Sequence, residues 1–136
     1  MSGPDNFLPK DIPIPLRAAT VADGLVLVSG QVGHIDYVLV EGGFEEQFRQ
    51  ALENLRGVLS EQGAAMRDVL KVTVLLADIE DFDVMNRIYL EYFDTDRLPA
   101  RTAFAVAALP FGALVELDAH ASLPAGAWRP RPGVHR

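Results

Sequence analysis

Apolar and polar positions along the chain recur with two distinct periods, and these predict its elements. Phe44, Phe48, Ala51, Leu52, Leu55, Val58 and Leu59 fall at steps of three and four, which gives one apolar stripe on a helix over 44–62. Glu45 and Glu46 lie in its first turn, where the helix dipole favours acidic groups, and Gly63 follows as a C-terminal cap. A second helix over 81–93 presents Phe82, Met85, Ile88, Tyr89, Tyr92 and Phe93. Between the helices, 68–78 is rich in Val and Leu and reads as a strand. Towards the N-terminus, 17–22 and 25–32 flank Asp23-Gly24, a strong hairpin signal because glycine supplies the positive φ of a primed turn. The second of these strands, LVLVSGQV, is apolar almost throughout until Ser29-Gly30-Gln31, as expected of a strand buried on both faces. Residues 33–43 read as a loop with a short extended piece at 37–40 and an end at Gly42-Gly43.

The stretch 98–122, LPARTAFAVAALPFGALVELDAHAS from Leu98, organises the rest. Two short apolar runs without a helical period flank Leu109-Pro110-Phe111-Gly112, which reads as two strands about a turn. In the first, Arg101, Ala103, Ala105 and Ala107 share a face; in the second, Leu114, Glu116, Asp118 and His120 do. Each run carries a charge where a buried strand should avoid one, Arg101 in the first and Glu116 in the second. The small residues beside Arg101 leave room for a ligand to approach it.

A hairpin, a helix, a strand, a helix and two further strands make a single α+β domain, with a mixed sheet and both helices on one face. The domain core spans about 15–122, preceded by a proline-rich arm (1–14, with Pro4, Pro9 and Pro13) and followed by a tail (123–136). The uncovered sheet face is apolar enough to require another subunit. Of the 136 residues, 49% are hydrophobic and 23% charged, the values of a globular domain. The balance of 12 basic to 19 acidic residues gives −7, which argues against nucleic acid as a partner. The absence of cysteine excludes thiol catalysis, disulfides and cysteine metal sites. No apolar run is long enough for a membrane helix and the N-terminus has no signal-peptide core, so the expectation is a cytoplasmic protein without a membrane partner.

Arg101 reads either as a structural ion pair at a strand start or as a fork that grips a carboxylate with two hydrogen bonds. Glu116 reads either as a solvent-facing edge carboxylate or as a general base that orients water. Gly30, beside Ser29, either ends a strand or lets a backbone approach a ligand closely. Asn86 lies mid-helix, where asparagine is a mediocre residue and is commonly just solvated. His34, His120 and His135 lack metal-ligand spacing, and no metal is expected.

Val28-Ser29-Gly30-Gln31, Asn54-Leu55, Asp81-Phe82, Asn86, Tyr89, Phe93, Pro99-Ala100-Arg101-Thr102, Leu109-Pro110 and Val115-Glu116-Leu117 together resemble the Rid family, the reactive intermediate deaminases, also called the YjgF family. The likeness runs roughly from Pro15 to Ala121, and its most specific element is Pro-Ala-Arg-Thr followed by Leu-Pro and Val-Glu. The resemblance implies a chorismate-mutase-like fold, a trimeric barrel-like assembly with sites between subunits, and no cofactor. It implies hydrolysis of 2-imino or enamine acids to 2-keto acids and ammonia, as by a 2-iminobutanoate/2-iminopropanoate deaminase. Arg101 matches the family's carboxylate-binding arginine and Glu116 its water-activating glutamate. Ser29, Gly30 and Asn86 match cleft positions, and Ala103 matches a position, often cysteine, whose backbone helps to bind substrate. Leu16 stands where the family usually has a cleft tyrosine, with Arg17 beside it, which leaves open a Rid-fold enzyme for another small carboxylate or a non-enzymatic binding trimer.

A tight hairpin about Pro110-Phe111 would leave Glu116 roughly 13 Å along from Arg101 at the usual strand rise. In the family fold the last strand inserts between earlier ones, so the two strands are not expected to be neighbours.

Overall fold

Asp23 and Gly24 both take positive φ, 50° and 80°. They form the primed turn that folds β1 (Ala19–Ala22) back on β2 (Leu25–Val32). The computed structural model describes residues 14–124, so the expected arm before Ile14 and the tail after Pro124 lie outside the described residues. The loop at 33–43 contains a small hairpin, β3 (His34–Ile35) with β4 (Val38–Leu39). Helix α1 (Phe44–Glu61) follows, and it ends as its Gly63 predicts. The Gly63 amide donates to the Ser60 carbonyl and the Ala64 amide to that of Leu59, the paired bonds of a Schellman closure.

Then come β5 (Val69–Leu76), α2 (Phe82–Tyr92), β6 (Ala100–Ala105) and β7 (Val115–Ser122). The main sheet has the order β1-β2-β7-β5-β6. The β5–α2–β6 unit makes the parallel pair, and the other contacts in the sheet are antiparallel. The last strand enters the middle of the sheet, and β6 and β7 are separated by β5, as the length argument expects.

The apolar stripe of α1 lies across β2 and β7. Phe48, Leu52, Leu55 and Leu59 meet Val26, Val72, Val74, Leu117 and Ala119, all fully buried. Helix α2 adds Met85, Ile88, Tyr89 and Phe93 to the same core. Burying each large aliphatic side chain stabilises the fold by about 1.5–3 kcal/mol, so this one layer carries most of the folding energy. Polar staples fix its rim. Asn54 Nδ2 donates to the carbonyls of Val32 and His34, both at 3.0 Å, and the Leu114 amide donates to the buried Gln47 Oε1 at 2.9 Å. On the outer helical surface Arg49 pairs with Glu91 and with Glu45.

The expectation that β2 is buried on both faces is corrected. Val26 and Val28 are buried, but Leu25 and Leu27 are 43% and 42% exposed. Both helices lie on one side, and among the described residues the other side of β2 is left uncovered at Leu25 and Leu27. Several strand limits also move inward, and the strand expected over 68–78 spans Val69–Leu76. The first strand begins at Ala19, β6 stops at Ala105 before reaching Ala107, and β7 starts after Leu114.

Candidate functional site

The residues singled out above gather at two places rather than one. The first lies on β2 and β7. Their register runs from Leu25 opposite Ser122 to Val28 opposite Ala119, then slips so that Gln31 faces Leu117 and Val32 faces Glu116. Ser29 and Gly30 fill the slip as a β-bulge with one extra residue on β2. The extra residue exchanges the faces of the strand. Val26 and Val28 point to the helices, whereas Val32 joins Phe111 and Ala113 in a small separate cluster with Leu39 and Leu109.

Glu116 lies between core-facing Val115 and Leu117, so its side chain leaves the sheet on the face away from the helices, beside that cluster. It rests directly on Gly30. A Cβ at Gly30 would overlap Glu116 Oε2 and stand 2.8 Å from its Cδ. Burial raises the Glu116 carboxyl above the ordinary carboxylate range, and Asp118, two residues along the same face, raises it further. Ser29 ties in the chain before β1. Its Oγ donates to the Arg17 carbonyl at 2.6 Å and its amide to that of Ala18 at 2.9 Å. Leu16, 62% exposed, immediately precedes this tethered segment.

The second place is on β6, an edge strand two places from β7. Arg101 on β6 aligns with core-facing Val72 of β5, so its side chain leaves the sheet on the helical face. There it lies against α2, with its guanidinium carbon 4.8 Å from the Tyr89 ring centre and 5.7 Å from that of Phe82. No described residue accepts a hydrogen bond or makes an ion pair with its guanidinium, so the ion-pair reading of Arg101 has no partner among the described residues. A half-buried arginine held over two aromatic rings, with no acceptor among the described residues, is suited to take a planar anion. Ala103, two residues on, shares the Arg101 face, and Asn86 falls between Phe82 and Tyr89 on the same stripe of α2. Since β6 is the last strand of the sheet, its outer edge also offers backbone groups.

One chain does not bring Arg101 and Glu116 together. Arg101 aligns with Val72 and Glu116 with Leu75, on strands either side of β5. Strand spacing and rise then put their Cα atoms about 14 Å apart, and their side chains leave opposite faces. Sequence reasoning also passed over Phe82 and Tyr89 as more than helix core. The available signal was two aromatics seven apart, two turns along one face of the helix that precedes Arg101.

The histidines lie elsewhere. His34 Nδ1 accepts the Tyr37 amide and its ring stacks on Tyr37, whereas His120 is exposed on the open face opposite Lys71 and Leu27. His135 is outside the described residues. Among the described residues no helix is long and apolar enough to cross a membrane.

The model of a family described as endoribonuclease L-PSP matches residues 14–123. The chain is 43% identical over 107 residues to the human protein named 2-iminobutanoate/2-iminopropanoate deaminase, covering 77% of each. It is 47% identical over 103 residues to the rat protein of the same name, covering 74% of each. Among solved structures, RidA from an Antarctic Psychrobacter superposes with a TM-score of 0.77 at 33% identity, over 80% of this chain and 89% of that one.

Proposed function

The chain belongs to the endoribonuclease L-PSP family, also called Rid or YjgF, and from that premise we propose that it is an imine deaminase whose sites lie between subunits. It hydrolyses 2-imino acids, and their enamine tautomers, to 2-keto acids and ammonia. The named activity of relatives at 43% and 47% identity supports the reaction. The guanidinium of Arg101, held over two aromatic rings and without an ion-pair partner among the described residues, supports the substrate class most directly, since a 2-imino acid carries the planar carboxylate that such a fork takes.

The roles follow from the chemistry. Arg101 holds the carboxylate through two parallel N–H···O bonds. Glu116 takes a proton from the water as its oxygen bonds to the imine carbon and returns that proton to the nitrogen, which gives a neutral carbinolamine. It then takes the hydroxyl proton and delivers it to the same nitrogen as the C–N bond breaks and the C=O bond forms, so imine and water become ketone and ammonia with nothing left over. A carboxyl held above the usual range by burial suits both halves of this transfer. Ser29, Gly30 and Leu16 line the Glu116 side of the cleft, and Asn86 and Ala103 the Arg101 side.

In each chain these groups sit on opposite faces of the sheet, Arg101 on the edge strand β6 and Glu116 on the central strand β7, so in this proposal a working site takes Arg101 from one subunit and Glu116 from its neighbour. A trimer closed around the open sheet faces also covers Leu25, Leu27 and Phe104, which a single chain leaves exposed. The net charge of −7 weighs against a polyanionic substrate.

An amino acid oxidase acting on alanine generates 2-iminopropanoate in place. This chain is expected to speed its conversion to pyruvate, and a folded, assembled protein that leaves the spontaneous rate unchanged overturns the reading. The Gly30 contact gives a finer check. Gly30→Ala pushes the end of a flexible side chain and not the backbone, so the fold is retained while the carboxylate moves by about an ångström. Such a displacement is expected to lower kcat by about 10²-fold, with an unaltered circular dichroism spectrum.

A further inference from the structure

We propose that Phe82 and Tyr89 form an aromatic platform that positions the Arg101 guanidinium and sets how tightly the protein holds a carboxylate. The inference rests on the deaminase reading for the identity of the ligand, and on the geometry of α2 and β6 for everything else.

Phe82 and Tyr89 are seven residues apart on α2, two turns along one face, and the guanidinium carbon of Arg101 lies within 6 Å of both ring centres. The rings accept no conventional hydrogen bond, and no described residue takes the Arg101 N–H groups, so the platform leaves carboxylate-binding donors available. A freely rotating arginine would lose much of its side-chain freedom on binding, and stacking removes that freedom beforehand. The rings also replace water on one side of the guanidinium and so strengthen its attraction for an anion.

The platform is itself held rigidly. Tyr89 is 4% exposed, and its ring packs against the buried Phe93 with centres 4.5 Å apart. Burial, partly offset by the nearby Arg101, pushes the Tyr89 phenol up to about 12, so it remains neutral. The hydroxyl is buried with no partner among the described residues. The ring, not the hydroxyl, is therefore the part of Tyr89 that Arg101 uses.

The test is binding of 2-oxobutanoate, a 2-keto acid carboxylate, by calorimetry, together with steady-state kinetics on 2-iminobutanoate. Phe82→Leu and Tyr89→Leu are expected to weaken binding by about 3- to 30-fold, the range of a partly desolvated cation–π contact. The loss should fall on KM rather than kcat. Tyr89→Phe restores the ring and is expected to recover the affinity lost in Tyr89→Leu. Replacing Phe82 by pentafluorophenylalanine keeps the shape but reverses the charge distribution of the ring, and it should weaken binding like Phe82→Leu. Affinity unchanged by the fluorinated ring overturns the platform while leaving the deaminase reading intact. A wild-type protein that binds no 2-keto acid overturns the carboxylate fork and the platform together.

Discussion

Glu116→Gln is expected to leave a protein that binds 2-keto acids normally, melts higher than the parent at neutral pH, and has lost most of its activity. Removing a general base typically costs 10²–10⁴-fold, and kcat should fall by about that much while the Kd for 2-oxobutanoate holds. The stability gain follows from the direction in which the carboxyl is shifted. Burial and Asp118 raise it in the folded state above its unfolded value. The folded protein therefore prefers the protonated form, and stability present at low pH is lost as pH rises through the folded value. Glutamine never ionises and avoids that loss. The melting difference between variant and parent should close near about pH 4, the ordinary carboxylate value. It should be greatest in the Arg101→Ala background, where no neighbouring guanidinium offsets the burial. The acid limb of the parent's kcat profile should lie above the usual carboxylate range and vanish in the variant. Full activity in Glu116→Gln would remove Glu116 from the reaction.

Arg101→Ala should fail differently. Two charge-assisted hydrogen bonds, each contributing about 1.5–3 kcal/mol, vanish, and kcat/KM is expected to drop by two to four decades. Arg101→Lys recovers only part, because an ammonium is a point charge without the planar fork. Mixing makes the two variants informative together. Chains carrying Arg101→Ala and chains carrying Glu116→Gln, unfolded together and refolded, can assemble interfaces with both groups intact. Random trimers would then show about a quarter of the wild-type rate, since each site draws one group from each of two subunits. If the site lay within one chain, mixing would restore nothing. Activity is measured against each variant refolded alone.

Much of this fold is legible in the order of residues, and what is not legible shares one cause. Asp23-Gly24 names its turn because only a few residue types accept that backbone, and the α1 stripe names its helix because seven apolar positions keep one period. Separation of β6 from β7 followed from a length estimate taken together with what the family resemblance implies. The bulge at Ser29-Gly30 did not, because a single extra residue leaves the composition of β2 unchanged while reversing its faces. The faces of Arg101 and Glu116 were likewise hidden. Alternation says which residues share a side of a strand, but which side meets the helices depends on neighbours far along the chain. The two apolar faces of LVLVSGQV record both what this chain buries and what an assembly would cover, and sequence does not separate the two.

The placement of β7 bears on how this protein is made. Among the described strands, the last in chain order is also the central one, bonded to β2 on one side and to β5 on the other. Until it emerges, β2 and β5 each present an unpaired edge, and the stripe of α1 lacks Leu117, Ala119 and Ala121 beneath it. No partial chain ending before Val115 has a closed core to settle into. The sheet therefore cannot close until β7 has emerged, and until then those edges stay open to mispairing.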